Sequence, residues 1–152
     1  MNISIETSTI VINKPENSIE LIGKDNGFFI QNKYIDYMSW KENGPDSPID
    51  AKMPGYFDLD FYFNGSKFTL IVNKKQLEDT KNLLVAYGRK KSNKFMMTSN
   101  MIFMTNNISQ IIATGNSLSI NFKGGNKYTF NFSSNEVAME WFHLFLNSKK
   151  GQ

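Results

Sequence analysis

Few side chains in this sequence are placed for covalent chemistry; many more are placed to meet an anion. There is no cysteine and a single histidine, His143, so disulfides, thiolate metal sites and cysteine nucleophiles are excluded. His143 sits in the apolar run from Trp141 to Leu146 with no nucleophile beside it, and reads as a partly buried structural residue. Asp58 and Asp60 alternate along one segment and so share a strand face. Such a pair could hold Mg²⁺ or act as acid and base. Leu59 and Phe61 already supply the inner face, which puts the carboxylates on a solvated outer one. No glycine-rich phosphate loop, dinucleotide fingerprint, HExxH or EF-hand pattern occurs. Gly124-Gly125 is followed by a strand pattern, not by a helix N-terminus that could cradle phosphate. No catalytic residue, metal or cofactor is expected, and the chain reads as a non-enzyme.

The bases say more. Residues 1–60 hold 10 acids and 5 bases, a net −5, whereas residues 61–152 hold 4 acids and 12 bases, a net +8. An asymmetry of this kind points to an anionic partner for the C-terminal part. Arg89, Lys90, Lys91 and Lys94 form one cluster. Lys123 and Lys127 flank the Gly124-Gly125 turn, and Lys67 stands at the matching place after Asn64-Gly65. Lys149 and Lys150 extend the last helix. A set like this can track a phosphate backbone, with Trp40 and Tyr62 as candidates to stack on unpaired bases. Arg89 is the only arginine. Bidentate reading of guanine edges therefore has almost no donors, which argues against sequence-specific recognition of duplex. The abundance of Asn, Lys and Ile suits an AT-rich genome, bacterial or phage.

The elements that must position these residues follow from periodicity. Asn2–Ile5, Thr9–Asn13 and Ser18–Ile22 alternate as short strands. Phe28–Gln31, Tyr34–Trp40, Tyr56–Phe63 and Lys67–Val72 read as four more, with Asn64-Gly65 as a tight hairpin turn. Between the second and third of these lies residues 41–55, a loop carrying Pro45, Pro48 and Pro54. Asn73 and Gln76 make a capping box for a helix, with Gly88 as its natural stop. The order then recurs: Phe95–Thr105, Ile108–Thr114, Ser117–Phe122, Lys127–Phe132, and a helix capped by Ser133 and Glu136, sixty residues after the first box. The fold class is therefore α+β: two ββββα repeats with antiparallel sheets, each followed by a covering helix, plus an N-terminal β extension. The expected divisions are the extension over 1–26, a first repeat over 27–88, a basic linker over 89–94, a second repeat over 95–148 and a basic tail over 149–152, together one compact domain.

Matched at sixty residues, Trp141 and Phe142 stand where the first helix has Lys81 and Asn82. The second helix thus carries apolar surface beyond one core-facing stripe. Trp141, Phe142 and Phe145 are the candidate interface, buried either against the other half or in a homo-oligomer. The N-terminus has no basic region ahead of an apolar run, and no stretch approaches the ~18 apolar residues of a membrane span. A cytoplasmic protein, or a component of an intracellular particle, is expected.

The order ββββα–linker–ββββα, with its basic turns and aromatics, resembles the single-stranded nucleic-acid-binding proteins of the PUR and Whirly type over about residues 27–148. The likeness implies two interlocking repeats with bases stacked along the sheets. It is one of element order: the Lys-Gly-Lys-Ala-Ala-Leu stretch of plant Whirly proteins is absent, so no binding residue is carried over. A pair of pleckstrin-homology-like barrels would share the terminal helices, but each half is short for such a barrel. The functional expectation is a single-stranded DNA- or RNA-binding protein with little sequence preference. The alternative is an assembly or adaptor protein, such as a phage structural component, using the second helix and the Pro-rich loop.

Overall fold

The computed structural model describes residues 2–6, 9–13, 18–22, 27–47, 55–92 and 94–150. Pro48 and Pro54 of the Pro-rich loop lie outside the described residues. The chain runs β1 (Asn2–Glu6), β2 (Thr9–Asn13), β3 (Ser18–Ile22), β4 (Gly27–Gln31), a 3-10 turn (Asn32–Tyr34), β5 (Tyr37–Glu42), β6 (Tyr56–Phe63), β7 (Ser66–Asn73) and α1 (Lys74–Lys90). It continues with β8 (Met96–Met97), β9 (Met101–Phe103), a second 3-10 turn (Thr105–Asn107), β10 (Ile108–Thr114), β11 (Ser117–Phe122), β12 (Lys127–Asn131) and α2 (Asn135–Lys150). The class is α+β, with antiparallel pairing throughout except where β1 lies parallel to β7 at the edge of the main sheet.

The strands do not pair as two separate sets of four. Among the described residues they form a six-stranded sheet in the order β1-β7-β6-β5-β9-β8 and two three-stranded sheets, β2-β3-β4 and β10-β11-β12. β4 joins the extension strands, so the division at residue 26 falls inside one sheet. β9 joins β5 and ties the second half into the first. This differs from the interlocked sheets that the PUR and Whirly likeness implies. The reason is local: each 3-10 turn redirects the chain between the first strand of a unit and the second, so the two leave in different sheets.

Both faces of the six-stranded sheet are covered. Met38, Trp40, Leu59, Phe61 and Leu70 face α1 and the β2-β3-β4 sheet, meeting Leu77, Leu84, Ile19 and Ile30. Tyr37, Met101 and Phe103 face the other way, into a second core with Leu118, Ile120, Phe122 and Phe145. Burying both faces removes the outer surface on which Asp58 and Asp60 were expected: they are 1% and 9% exposed. Asn43 Nδ2 donates to Asp58 Oδ1 at 2.8 Å, and Thr69 Oγ1 donates to Asp60 Oδ1 at 2.6 Å. Burial raises the Asp60 carboxyl above its usual range.

The first helix begins as expected. Asn73 Oδ1 accepts from Gln76 N at 2.8 Å, and Gln76 Oε1 accepts from Asn73 N at 2.9 Å. It does not stop at Gly88 but runs to Lys90, taking Arg89 and Lys90 out of the expected linker. Gly88 serves packing instead: a Cβ there would lie 2.6 Å from Phe95 Cδ1. The second helix starts one residue late. Its cap is Ser134, whose Oγ accepts from Val137 N at 3.3 Å, and not Ser133.

That single residue changes the comparison of the helices. With the offset at sixty-one, Trp141 matches Thr80, which is buried on α1, and Phe145 matches the fully buried Leu84. Trp141, Phe142 and Phe145 then belong to one core-facing stripe. Phe145 is 0% exposed, and Trp141 packs on Phe130 and Phe132 with ring centroids 5.4 and 5.3 Å away. The expected interface residues are used inside the chain. His143 lies on the opposite, exposed side of α2 and is not a core histidine.

Candidate nucleic-acid interface

The second 3-10 turn is a hub that gathers basic residues from four parts of the chain. Asn107 Nδ2 donates to the carbonyls of Lys33 and Ile35, each at 2.9 Å. Asn107 O accepts from Lys123 N at 2.9 Å. Thr105 N donates to Lys94 O at 3.2 Å, and Lys149 Nζ donates to Asn106 O at 2.8 Å. The Ser148 hydroxyl lies 3.0 Å from Thr105 Oγ1 and donates to Phe95 O at 2.9 Å, which docks the end of α2 on the same turn. The backbones of Lys33, Lys94 and Lys123 and the side chain of Lys149 are therefore all held by three consecutive residues.

A small crevice opens beside the hub, lined by Lys33, Lys91, Lys94, Tyr87, Asn106 and Asn107. Burial lowers the Lys149 pKa, and the like charges of Lys123 and Lys94 lower it further. The Lys75–Asp79 and Lys81–Glu78 ion pairs of the described residues include none of these lysines. Two helices end here, α1 at Lys90 and α2 at Lys150, and their C-terminal carbonyls offset part of the repulsion. A site of this kind gains most from a ligand that carries several negative charges in a row.

Of the bases expected from sequence, Lys91, Lys94, Lys123 and Lys149 meet at the hub. Arg89 and Lys90 are exposed on the last turn of α1, close in sequence to Lys91. Lys67 and Lys127 belong to a neighbouring feature. The Asn64-Gly65 and Gly124-Gly125 turns touch, so closely that a Cβ on Gly124 would lie 2.7 Å from Asn64 Cα. Lys67 and Lys127 follow these abutting turns, and Lys123 connects them to the hub. Lys33 was missed by the sequence reading. Its signal is its place in the first 3-10 turn, the counterpart of Thr105–Asn107 in the element order.

Of the two expected stacking residues, Trp40 is buried and Tyr62 is half-buried. Trp40 is 9% exposed, facing the α1 core, and Lys81 Nζ lies 4.6 Å from its ring centroid. Tyr62 is stacked on Tyr37 at 4.0 Å in the second core, with Lys67 Nζ 6.0 Å from its ring. Alternation puts both on strands, but the sheet they occupy is packed on both faces, and neither ring stands free on it. The aromatic that is exposed at the hub is Tyr34, at 50%, on the first 3-10 turn.

Nearby, Asp36 is buried and accepts from Asn126 Nδ2 at 3.0 Å; burial raises its pKa to about 6 against the hydrogen bond, which lowers it. Among the described residues no group of three or more His, Cys, Asp or Glu side chains is placed to hold a metal. No helix among them is long and apolar enough to cross a membrane.

No family model matches the chain, and no curated protein matches it in sequence. In structure it is similar to the LytTr DNA-binding domain of a methyl-accepting/DNA response regulator from Bacillus cereus, with a TM-score of 0.51 and 12% identity over 86% of this chain and 96% of that one. At that identity the likeness is one of fold. The neighbour is a DNA-binding domain and not a protein of the PUR or Whirly type.

Proposed function

We propose that this chain is a non-enzymatic nucleic-acid-binding protein that grips the phosphate backbone with the lysines gathered around Thr105–Asn107. The observation that carries the reading is the convergence of Lys33, Lys91, Lys94, Lys123 and Lys149 from separate elements onto one turn. Lys33, Lys94 and Lys123 are tied to that turn through their backbones and Lys149 through its ammonium, while Lys91 lines the crevice beside it. The fold shared with a DNA-binding domain supports the same class of partner. We further propose single-stranded DNA or RNA, bound with little sequence preference, because point charges on lysine neutralise phosphate without reading base edges. The PUR and Whirly likeness contributes element order to this reading and no binding residue.

Filter binding of a single-stranded oligonucleotide at two salt concentrations tests it. Retention at low salt should fall steeply as salt rises, with a log–log slope of about −0.7 per phosphate contacted. Lys123→Gln and Lys149→Gln should each weaken binding and flatten that slope by about 0.7. No retention at low salt would sink the proposal.

A second reading, assembly with protein partners, keeps one specific support. Met139 and Leu144 remain 43% and 51% exposed on the outer side of α2. Light scattering of the purified chain separates the two: a monomer that retains oligonucleotide favours the first.

A further inference from the structure

We infer that Tyr34 is the residue on which an unpaired base stacks, so that the lysine hub holds the backbone of a single strand while the neighbouring 3-10 turn holds one of its bases. The inference rests on the nucleic-acid reading above and names a contact that reading lacks once Trp40 is buried and Tyr62 is stacked on Tyr37.

Three observations carry it. Tyr34 is a large aromatic left 50% exposed in a chain that covers most of its rings. An exposed tyrosine alone would mean little, but the segment bearing this one is held on both sides. Asn107 Nδ2 donates to the carbonyl before Tyr34, that of Lys33, and to the carbonyl after it, that of Ile35. The same Asn107 accepts from Lys123 N, so the turn that carries the ring and the turn that carries a hub lysine are fixed to one residue. A preset platform loses less conformational freedom on binding than a loose side chain.

The third observation is charge. Lys33 Nζ lies 5.1 Å from the centroid of the Tyr34 ring. Lys91, which lines the crevice together with Lys33, is likewise set 5.8 Å from the ring of Tyr87. Tyr87 is half-buried in the crevice wall whereas Tyr34 is exposed, so Tyr34 offers the more open ring. An aromatic ring with one cation beside it, on a turn stapled to a cluster of others, is an arrangement suited to single-stranded nucleic acid. Every base presents a π-face, and every nucleotide brings a phosphate. Duplex keeps its bases stacked within itself and could use the lysines but not the ring.

The test compares two oligonucleotides of equal length and charge, oligothymidylate and a fully abasic strand, against the wild-type chain, Tyr34→Ala and Tyr34→Phe. The wild type should bind oligothymidylate about 5- to 100-fold more tightly than the abasic strand. Tyr34→Ala should lose most of that difference and leave abasic binding unchanged, while Tyr34→Phe keeps the difference because the ring remains. Equal binding of both strands by the wild type would overturn the stacking role and leave phosphate binding standing. So would a Tyr34→Ala variant that loses the same factor on both strands. Failure of both strands to bind at low salt would overturn the nucleic-acid reading itself, and the inference with it.

Discussion

The two hairpin–helix units of this chain, β6–β7–α1 and β11–β12–α2, are built from the same local signals and end in different environments. Each has a turn with glycine, an alternating second strand and a capped helix. In the first unit the strands lie inside a sheet covered on both faces, and Leu59, Asp60 and Phe61 are consecutively buried. In the second the central strand alternates between buried and half-buried residues, and its outer face is a ladder of polar pairs. Asn121 Nδ2 donates to Gln110 Oε1 at 2.9 Å, and Ser119 and Thr129 hydroxyls meet at 3.2 Å. Turn chemistry and capping set the unit; what packs on each face sets its stability and what it can expose.

The sharpest break of this comparison is on the helices. Leu84 and Phe145 are both fully buried, whereas Leu144, sixty residues after Leu84, is 51% exposed. Leu84→Ala should cost about 2–5 kcal/mol and Phe145→Ala about 3–5, against no more than about 0.5 for Leu144→Ala, read by chemical denaturation. A large loss at Leu144 would restore the offset of sixty and undo the shifted helix.

Next in size is Asp36, which lies between the two cores and is bound to Asn126 of the second unit. Its carboxyl holds a proton more tightly in the folded chain, at about 6 against 3.8 unfolded. The folded state therefore binds more protons between these values, and stability falls as pH rises through that window. The full cost is present above about pH 6. Asp36→Asn should stabilise the chain at pH 7.5 by at most about 3 kcal/mol, with the gain shrinking below pH 6 and nearly gone near pH 4. Thermal melts of both proteins across pH 4–8 would show it; a gain that grows on acidification would contradict it.

A smaller effect is expected where the units touch. Gly124→Ala forces a methyl against the Asn64 backbone and should cost about 1–3 kcal/mol, whereas Gly115→Ala would meet no neighbour, only the strain of a left-handed φ of +61. The difference in denaturation midpoint between the two variants measures the contact. The finest distinction is between two adjacent serines. Ser134→Ala should cost about 1 kcal/mol as the loss of a helix cap. Ser133→Ala should stay within about 0.5, and the reverse order would return the cap to the place read from sequence.

Much of the local structure was legible because it depends on neighbours in the chain. Asn64-Gly65 adopts positive φ at both positions, 47 and 75, as a two-residue hairpin turn demands. The Asn73–Gln76 box forms as read. Sites of charge were partly legible: Lys91, Lys94 and Lys123 could be named from clusters and turns, whereas Lys33 joins them only through Asn107, seventy-four residues away. Helix boundaries were the weakest reading, since Gly88 looks like a stop unless Phe95 is known to need its space.

Composition and spacing, by themselves, determined the α+β class, the strands and helices, the absence of thiol chemistry and the concentration of positive charge after residue 60. All of these follow from interactions a few residues long or from simple sums of charge. Only the tertiary structure decided which strand faces stay open, because that depends on what a distant segment lays over them. It buried Trp40, Asp58 and Asp60, stacked a half-buried Tyr62 on Tyr37, turned Trp141 inward by one residue of register, and drew lysines from four elements to one turn. It also left Tyr34 exposed on the turn stapled to them, a placement that period-two alternation has no means to express.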